Sequence, residues 1–137
     1  MKVQRPITLS LALVLVALGA VACGGGNSTP TKAFQTFYNG IKNKDVKSLK
    51  AVMPKEMLDA GEKRAKEQNK TLDDMLKEQL DKGGMPKMPD KMPETRNETI
   101  ATDGKTATLE VKDPESDKWG SVTFVKEDDG WKIKALH

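Results

Sequence analysis

Lys105-Thr106-Ala107-Thr108-Leu109-Glu110-Val111-Lys112 decides the fold of this chain. Ala107, Leu109 and Val111 alternate with Thr106, Thr108, Glu110 and Lys112, so every second side chain is apolar. That period belongs to a strand with one face on a core and the other in water. The pattern recurs downstream. Trp119 to Lys126 predicts another strand; Trp131, Ile133 and Ala135, alternating with Lys132 and Lys134, predict a last one. Turn residues separate them, Asp113-Pro114-Glu115-Ser116 and then Asp128-Asp129-Gly130. Asp103-Gly104 is a strong hairpin signal and predicts a further strand at Thr99–Thr102. Four strands joined by short turns form an antiparallel meander.

Towards the N-terminus the meander is preceded by Met85-Pro86-Lys87-Met88-Pro89-Asp90-Lys91-Met92-Pro93. Three prolines in nine residues exclude a helix interior and a central strand. An extended, polyproline-like crossover over 83–93 is expected instead. Before it the apolar period is helical. Thr29-Pro30 reads as an N-cap with proline at the first helical position. Ala33, Phe34, Phe37, Tyr38 and Ile41 then recur on one helix face. Asn39-Gly40 predict fraying near residue 43. Asp45 can cap a short second helix with Val46, Leu49, Val52 and Met53 inward. From Pro54 to Lys82 a thin helical stripe holds Met57-Leu58 and then Leu72, Met75, Leu76 and Leu80. Thr71-x-x-Asp74 fits a capping box, and Gly83-Gly84 a stop. Helices followed by strands indicate an α+β domain: N-terminal helices packed on one face of a curved four-stranded antiparallel sheet.

Residues 1–22 read differently. Lys2 and Arg5 precede an apolar run from Ile7 to Ala22, interrupted only by Thr8, Ser10 and Gly19. This run is shorter than the roughly 20 residues that span a bilayer core, and its layout is that of a secretory signal peptide. The junction Ala20-Val21-Ala22-Cys23-Gly24 resembles the lipobox of bacterial lipoproteins, although Ala20 stands where many carry Leu. The resemblance implies cleavage before Cys23 and attachment of diacylglycerol, with fatty chains such as palmitate, to its sulfur. Two or three such chains hold a protein stably at a membrane, whereas one holds it marginally. Cys23 is the sole cysteine, so no internal disulfide framework or Cys-rich metal site exists. Residues 23–29 then read as the lipidated Cys and a flexible Gly/Asn/Ser/Thr tether, and residues 30–137 as one domain. Gly24 to Thr29 reach at most roughly 20 Å when extended. The expected location is the bacterial cell envelope: lipid-anchored and extracytoplasmic, on the outer or plasma membrane.

Composition narrows the chemistry. Lys2 and Arg5 aside, 21 basic residues face 20 acidic ones. Such a balance lacks the clustered positive footprint of a nucleic-acid binder. The one histidine, His137, excludes a multi-His metal site and a His-based triad of the usual kind. The acids Asp103, Asp113, Asp117, Asp128 and Asp129 sit in predicted turns, where they bond to backbone. No carboxylate is marked as a general acid. A non-enzymatic chain without a cofactor is expected.

The order of elements carries a second resemblance. Thr29-Pro30, Ala33-Phe34, Phe37-Tyr38, Lys44-Asp45, Trp119, Val122, Phe124-Val125-Lys126-Glu127 and Gly130-Trp131-Lys132-Ile133 resemble the nuclear-transport-factor-2-like (cystatin-like) fold. More narrowly, they resemble a lumazine-binding-like lipoprotein family of unknown function. The resemblance covers 29–53 and 105–136, and leaves 54–93 unmatched. It implies a bent sheet wrapped into a cone with an open cavity. Relatives of that fold include binding and scaffolding modules as well as dehydratases and isomerases, so fold alone does not decide chemistry. Phe34, Tyr38, Ile41, Trp119, Phe124 and Trp131 are the large side chains available to line such a cavity for a small apolar ligand, or else to fill the core. An envelope protein is the other expected partner. Two rival readings remain open: a Cu(I) site built on the thioethers of Met85, Met88 and Met92, and an isomerase- or dehydratase-like enzyme in the cone. The interleaved charges of residues 42–93, 13 basic and 10 acidic, read as a solvated face.

Overall fold

The structure, a computed structural model, describes residues 27–137. The leader at 1–22, Cys23 and Gly24 to Gly26 lie outside the described residues. Four helices precede four strands: α1 Pro30–Lys42, α2 Val46–Ala51, α3 Lys55–Glu67, α4 Leu72–Lys82, β1 Thr95–Ile100, β2 Thr106–Lys112, β3 Trp119–Glu127 and β4 Gly130–Leu136. The strands form one open antiparallel sheet in the order β1-β2-β3-β4. The domain is therefore α+β, with a meandering sheet.

The helix boundaries follow from local chemistry. The Thr29 hydroxyl accepts from the Lys32 amide at 3.1 Å and starts α1. Asp45 accepts from the Lys47 and Ser48 amides and starts α2. Thr71 and Asp74 cap α4 reciprocally. α1 continues through Asn39-Gly40 and ends at Lys42 with Asn43 as its C-cap, at the expected place. A Cβ at Gly40 would stand 3.0 Å from the Leu49 side chain, so its absence lets α2 fold back closely on α1. α3 is the exception. Pro54 precedes it without a side-chain cap, and Ala65 is its only buried residue. Met57, expected in the inward stripe, is 46% exposed; only Leu58 of that pair turns towards the core. Residues 85–93 form no helix or strand, as three prolines dictate.

Two apolar clusters result. In the first, α1 lies on the inner face of the sheet. Phe34 and Ala33 meet Ala107 and Leu109 of β2, Val122 and Phe124 of β3, and Trp131 and Ile133 of β4. The inward residues of β2 and β3 are those of the period-two pattern. In the second cluster Val46 and Leu49 of α2 meet Leu72, Leu76 and Leu80 of α4. Phe37 packs on both.

The first strand departs from expectation. It runs over Thr95–Ile100 rather than Thr99–Thr102, and the β1–β2 connection spans Ala101 to Lys105. Its side chains are nearly all exposed, so no apolar alternation announces it. A bulge lies between Arg96 and Thr99, with Asn97 at φ 52. The extra residue turns Glu98 to the inner face. There its carboxylate accepts from the Thr31 amide at 2.9 Å and from the Thr31 hydroxyl. A carboxylate at the positive end of α1 stabilises that helix. The opposite edge, β4, is covered: the Ile133 amide donates to the Val52 carbonyl at 2.8 Å.

Candidate functional site

The strands have two ends, and different features stand at each. At the β3–β4 hairpin, Asn27 is 6% exposed and donates through Nδ2 to the Ala51 carbonyl at 3.1 Å. Gly130, at φ 128, turns the hairpin there; any Cβ on it would meet Asn27 at 2.7 Å. Lys132 is 3% exposed beside them. Its ammonium donates to the same Ala51 carbonyl at 2.6 Å and to Asp129 at 2.8 Å. A buried ammonium is tolerated only when its donors are satisfied, and this pair ties the edge strand to the end of α2. The Lys132 ammonium in turn holds the Asp129 carboxyl below its usual range.

At the other end of the sheet, where β2 passes into β3 and β4 finishes, an apolar pocket of about 230 Å³ opens. Phe34 of α1, Val111 of β2, Val122 of β3 and Leu136 of β4 line it, and Met88 and Pro93 of the crossover close one side. Gly120 to Glu127 is seven strand steps, so the pocket lies roughly 23 Å from the Asn27 end at about 3.3 Å per residue. Lys112 stands at the rim. Asp117, at 2.7 Å, holds its ammonium above the usual range, with Glu94 at 4.0 Å.

Of the six aromatic and aliphatic candidates, Phe34 alone lines this pocket. Phe124, fully buried, and Trp131 belong to the sheet core. Ile41 lines a neighbouring cleft of about 470 Å³ with Leu80, Met85 and Met88. Tyr38 is buried, and its hydroxyl donates to the Pro89 carbonyl at 2.7 Å. Trp119 stands on the outer face beneath the Arg96 guanidinium, 3.8 Å from the ring centre. Arg96 also bonds Glu110 at 2.7 Å, which with Asn97 holds that carboxyl below its usual range. Trp119 pairs with Lys112 three positions before the inward Val122, so pleat alternation sends it outward.

No protein-family model, no curated protein and no solved structure matches the chain.

The methionines of the crossover diverge. Met92 packs on the sheet cluster and Met85 on the helical one, while Met88 stands between the two clefts. Each thioether is engaged as an apolar side chain. Among the described residues no group of three or more His, Asp or Glu is placed to hold a metal ion. No described helix is long and apolar enough to cross a membrane.

Every carboxylate whose pKa departs clearly from the ordinary value is lowered by its own local partner. The Ser48 hydroxyl and amide act on Asp45, the Thr71 hydroxyl on Asp74, the Lys105 amide on Asp103 and the Ser116 hydroxyl on Asp113. Glu78 falls to about 2 between Lys70 and Lys82. These groups are caps, turns and surface pairs. A general acid requires the opposite shift. The pocket, Lys132 and the packed Asn27 carried no local sequence signal. Each depends on a partner contributed by a distant element.

Proposed function

We propose that this chain is a lipid-anchored, extracytoplasmic binding module of the bacterial envelope, without catalytic activity of its own. The observation that carries the reading is the sole cysteine, Cys23, set behind Ala20-Val21-Ala22 at the end of an apolar leader. The packing of Asn27 supports it and sharpens it. Four residue steps separate Cys23 from a side chain bonded to the body, a reach of roughly 13 Å at most. With Cys23 acylated, the β3–β4 hairpin is held close to the bilayer. The apolar pocket, at the far end of the strands, then faces the aqueous space. Anchoring also raises the local concentration, so a modest affinity suffices for occupancy.

We read the packing of α1 on the meander as that of the nuclear-transport-factor-2-like cone. The pocket over Phe34 supports that reading, as does the order of helices followed by a four-stranded antiparallel meander. A small apolar molecule is the ligand class that such a lining favours. The test is direct. Mass spectrometry of the membrane-extracted protein is expected to show a chain beginning at Cys23 with a diacylglycerol thioether. Cys23→Ser is expected to remove the lipid mass and release the domain into the soluble fraction. A native chain that still begins at Met1 with a free thiol refutes the anchor.

A further inference from the structure

Two clefts open on the two sides of one side chain. Met88 lines both the 230 Å³ pocket over Phe34 and the 470 Å³ cleft beside Ile41. Phe34, Tyr38 and Ile41 stand at i, i+4 and i+7, and therefore share one face of α1. Phe34 belongs to the first cleft and Ile41 to the second. Tyr38 stands between them, and Pro89 crosses above it. The two clefts are thus parts of one groove floored by α1 and bridged by the crossover.

The bridge is lightly held. Among the described residues, no backbone-to-backbone hydrogen bond ties 85–93 to the rest of the molecule. The polar attachments are the Tyr38 hydroxyl on the Pro89 carbonyl at 2.7 Å, and the Lys42 ammonium on the Asp90 and Pro89 carbonyls at 2.6 and 3.3 Å. Both residues come from adjacent turns of one helix. Pro86, Pro89 and Pro93 keep the segment extended whether or not it is docked. Met88 is an unbranched side chain that leaves and refills a gap at low cost.

Size and charge decide what the groove can take. Ligand pockets enclose about 300–1,000 Å³. The pocket over Phe34 falls short of that range, the cleft beside Ile41 falls within it, and Met88 is the wall they share. Lys112 at one end is paired with Asp117, and Lys42 at the other with Asp90. Lys87 and Asp113, of opposite sign, also line the two clefts, so no one sign of charge is concentrated there.

We propose that residues 85–93 are a movable strap, and that the groove beneath takes a small, uncharged, apolar molecule whose entry displaces Met88. This rests on the reading of the chain as a ligand-binding module. The test uses the full chain in lipid nanodiscs, with methionine ε-methyl groups labelled with ¹³C. The probe is 2-naphthol, a neutral aromatic, with empty nanodiscs as the blank. The Met88 methyl is expected to shift saturably while Met57 and Met75 stay still. Met88→Ala, which removes the wall, is expected to tighten the probe roughly tenfold. Tyr38→Phe keeps the ring but removes one of the two donors to the Pro89 carbonyl, leaving Lys42, and tightens the probe roughly fivefold by raising the population of the lifted strap. Without any ligand, Tyr38→Phe is expected to speed tryptic cleavage after Lys87 and Lys91 at least threefold. Probe binding that leaves Met88 unmoved, with affinity and cleavage unchanged in both variants, overturns the strap alone. Absence of saturable binding to the parent and to Met88→Ala overturns the ligand reading and the groove together. In that case, accelerated cleavage in Tyr38→Phe still supports a strap held by its latch.

Discussion

The sheet with α1, and the helical arm of α2 and α4 with α3 beside it, are two differently built halves. In the first, four aromatic rings (Phe34, Phe37, Phe124 and Trp131) and the aliphatic residues of three strands interlock around α1. In the second, Val46 and four leucines line one stripe per helix, and α3 adds little more than Leu58 and Ala65. The outside of that arm is held by exposed ion pairs: Lys44–Asp81, Lys50–Asp73, Lys55–Asp59 and the Lys70–Glu78–Lys82 trio. Exposed pairs contribute little each. Phe37 is the side chain common to both clusters. The difference teaches that burial is concentrated between α1 and the sheet, and it predicts that the arm opens more readily than the sheet.

Replacing a core ring strikes the stronger half hardest. Phe124→Ala is expected to destabilise the domain by about 3–5 kcal/mol, read as a lower denaturation midpoint with amide protection lost in every element. Leu76→Ala leaves a cavity in the arm and is expected to cost about 2–4 kcal/mol. Here hydrogen exchange should accelerate in α3 and α4 well before β2 and β3. If the sheet amides exchange in step with the arm, the two halves are one cooperative unit and the contrast fails. Thr71→Ala removes one side of the capping box and is expected to cost about 1 kcal/mol, confined to the first turn of α4 by the same measurement.

Acid provides the mildest probe. Glu78 titrates near 2 in the folded chain because Lys70 and Lys82 bond its ionised form. Its folded value lies below the unfolded one near 4.5. Its contribution is therefore complete above that unfolded value, and is lost as pH falls towards 2. A carboxyl-carbon NMR titration should place its midpoint near 2, and Glu78→Gln should flatten the acid response of α4. Asp103, Asp113 and Asp129 are also lowered, by turn and ion-pair partners in the sheet. Acid consequently weakens both halves; Glu78, Asp74 and Asp45 belong to the arm.

Local chemistry wrote most of the boundaries. Thr29, Asp45 and the Thr71–Asp74 box place three helix starts, and the alternation of Ala107, Leu109 and Val111 names the inward face of β2. β1 is expected from the sequence but placed too late, because an edge strand with exposed side chains needs no apolar period to mark its start. Its bulge answers to Thr31, on a helix more than sixty residues earlier. Met57 fits an apolar stripe by spacing, yet α3 meets too little surface to cover it. Trp119 is large and apolar, but the pleat directs it to the face where Arg96 stacks upon it.

The chain alone determined the period of each element, the caps, the turns, the proline-stiffened crossover and the placement of its one cysteine, since these depend on neighbours within a few residues. Only the folded body decided that Lys132 is buried under Ala51, that Asn27 is part of the core's edge, and that Met88 separates two clefts over one stripe of α1. Those outcomes require acceptors and surfaces from elements far apart in sequence, and no local pattern encodes where a distant carbonyl will stand.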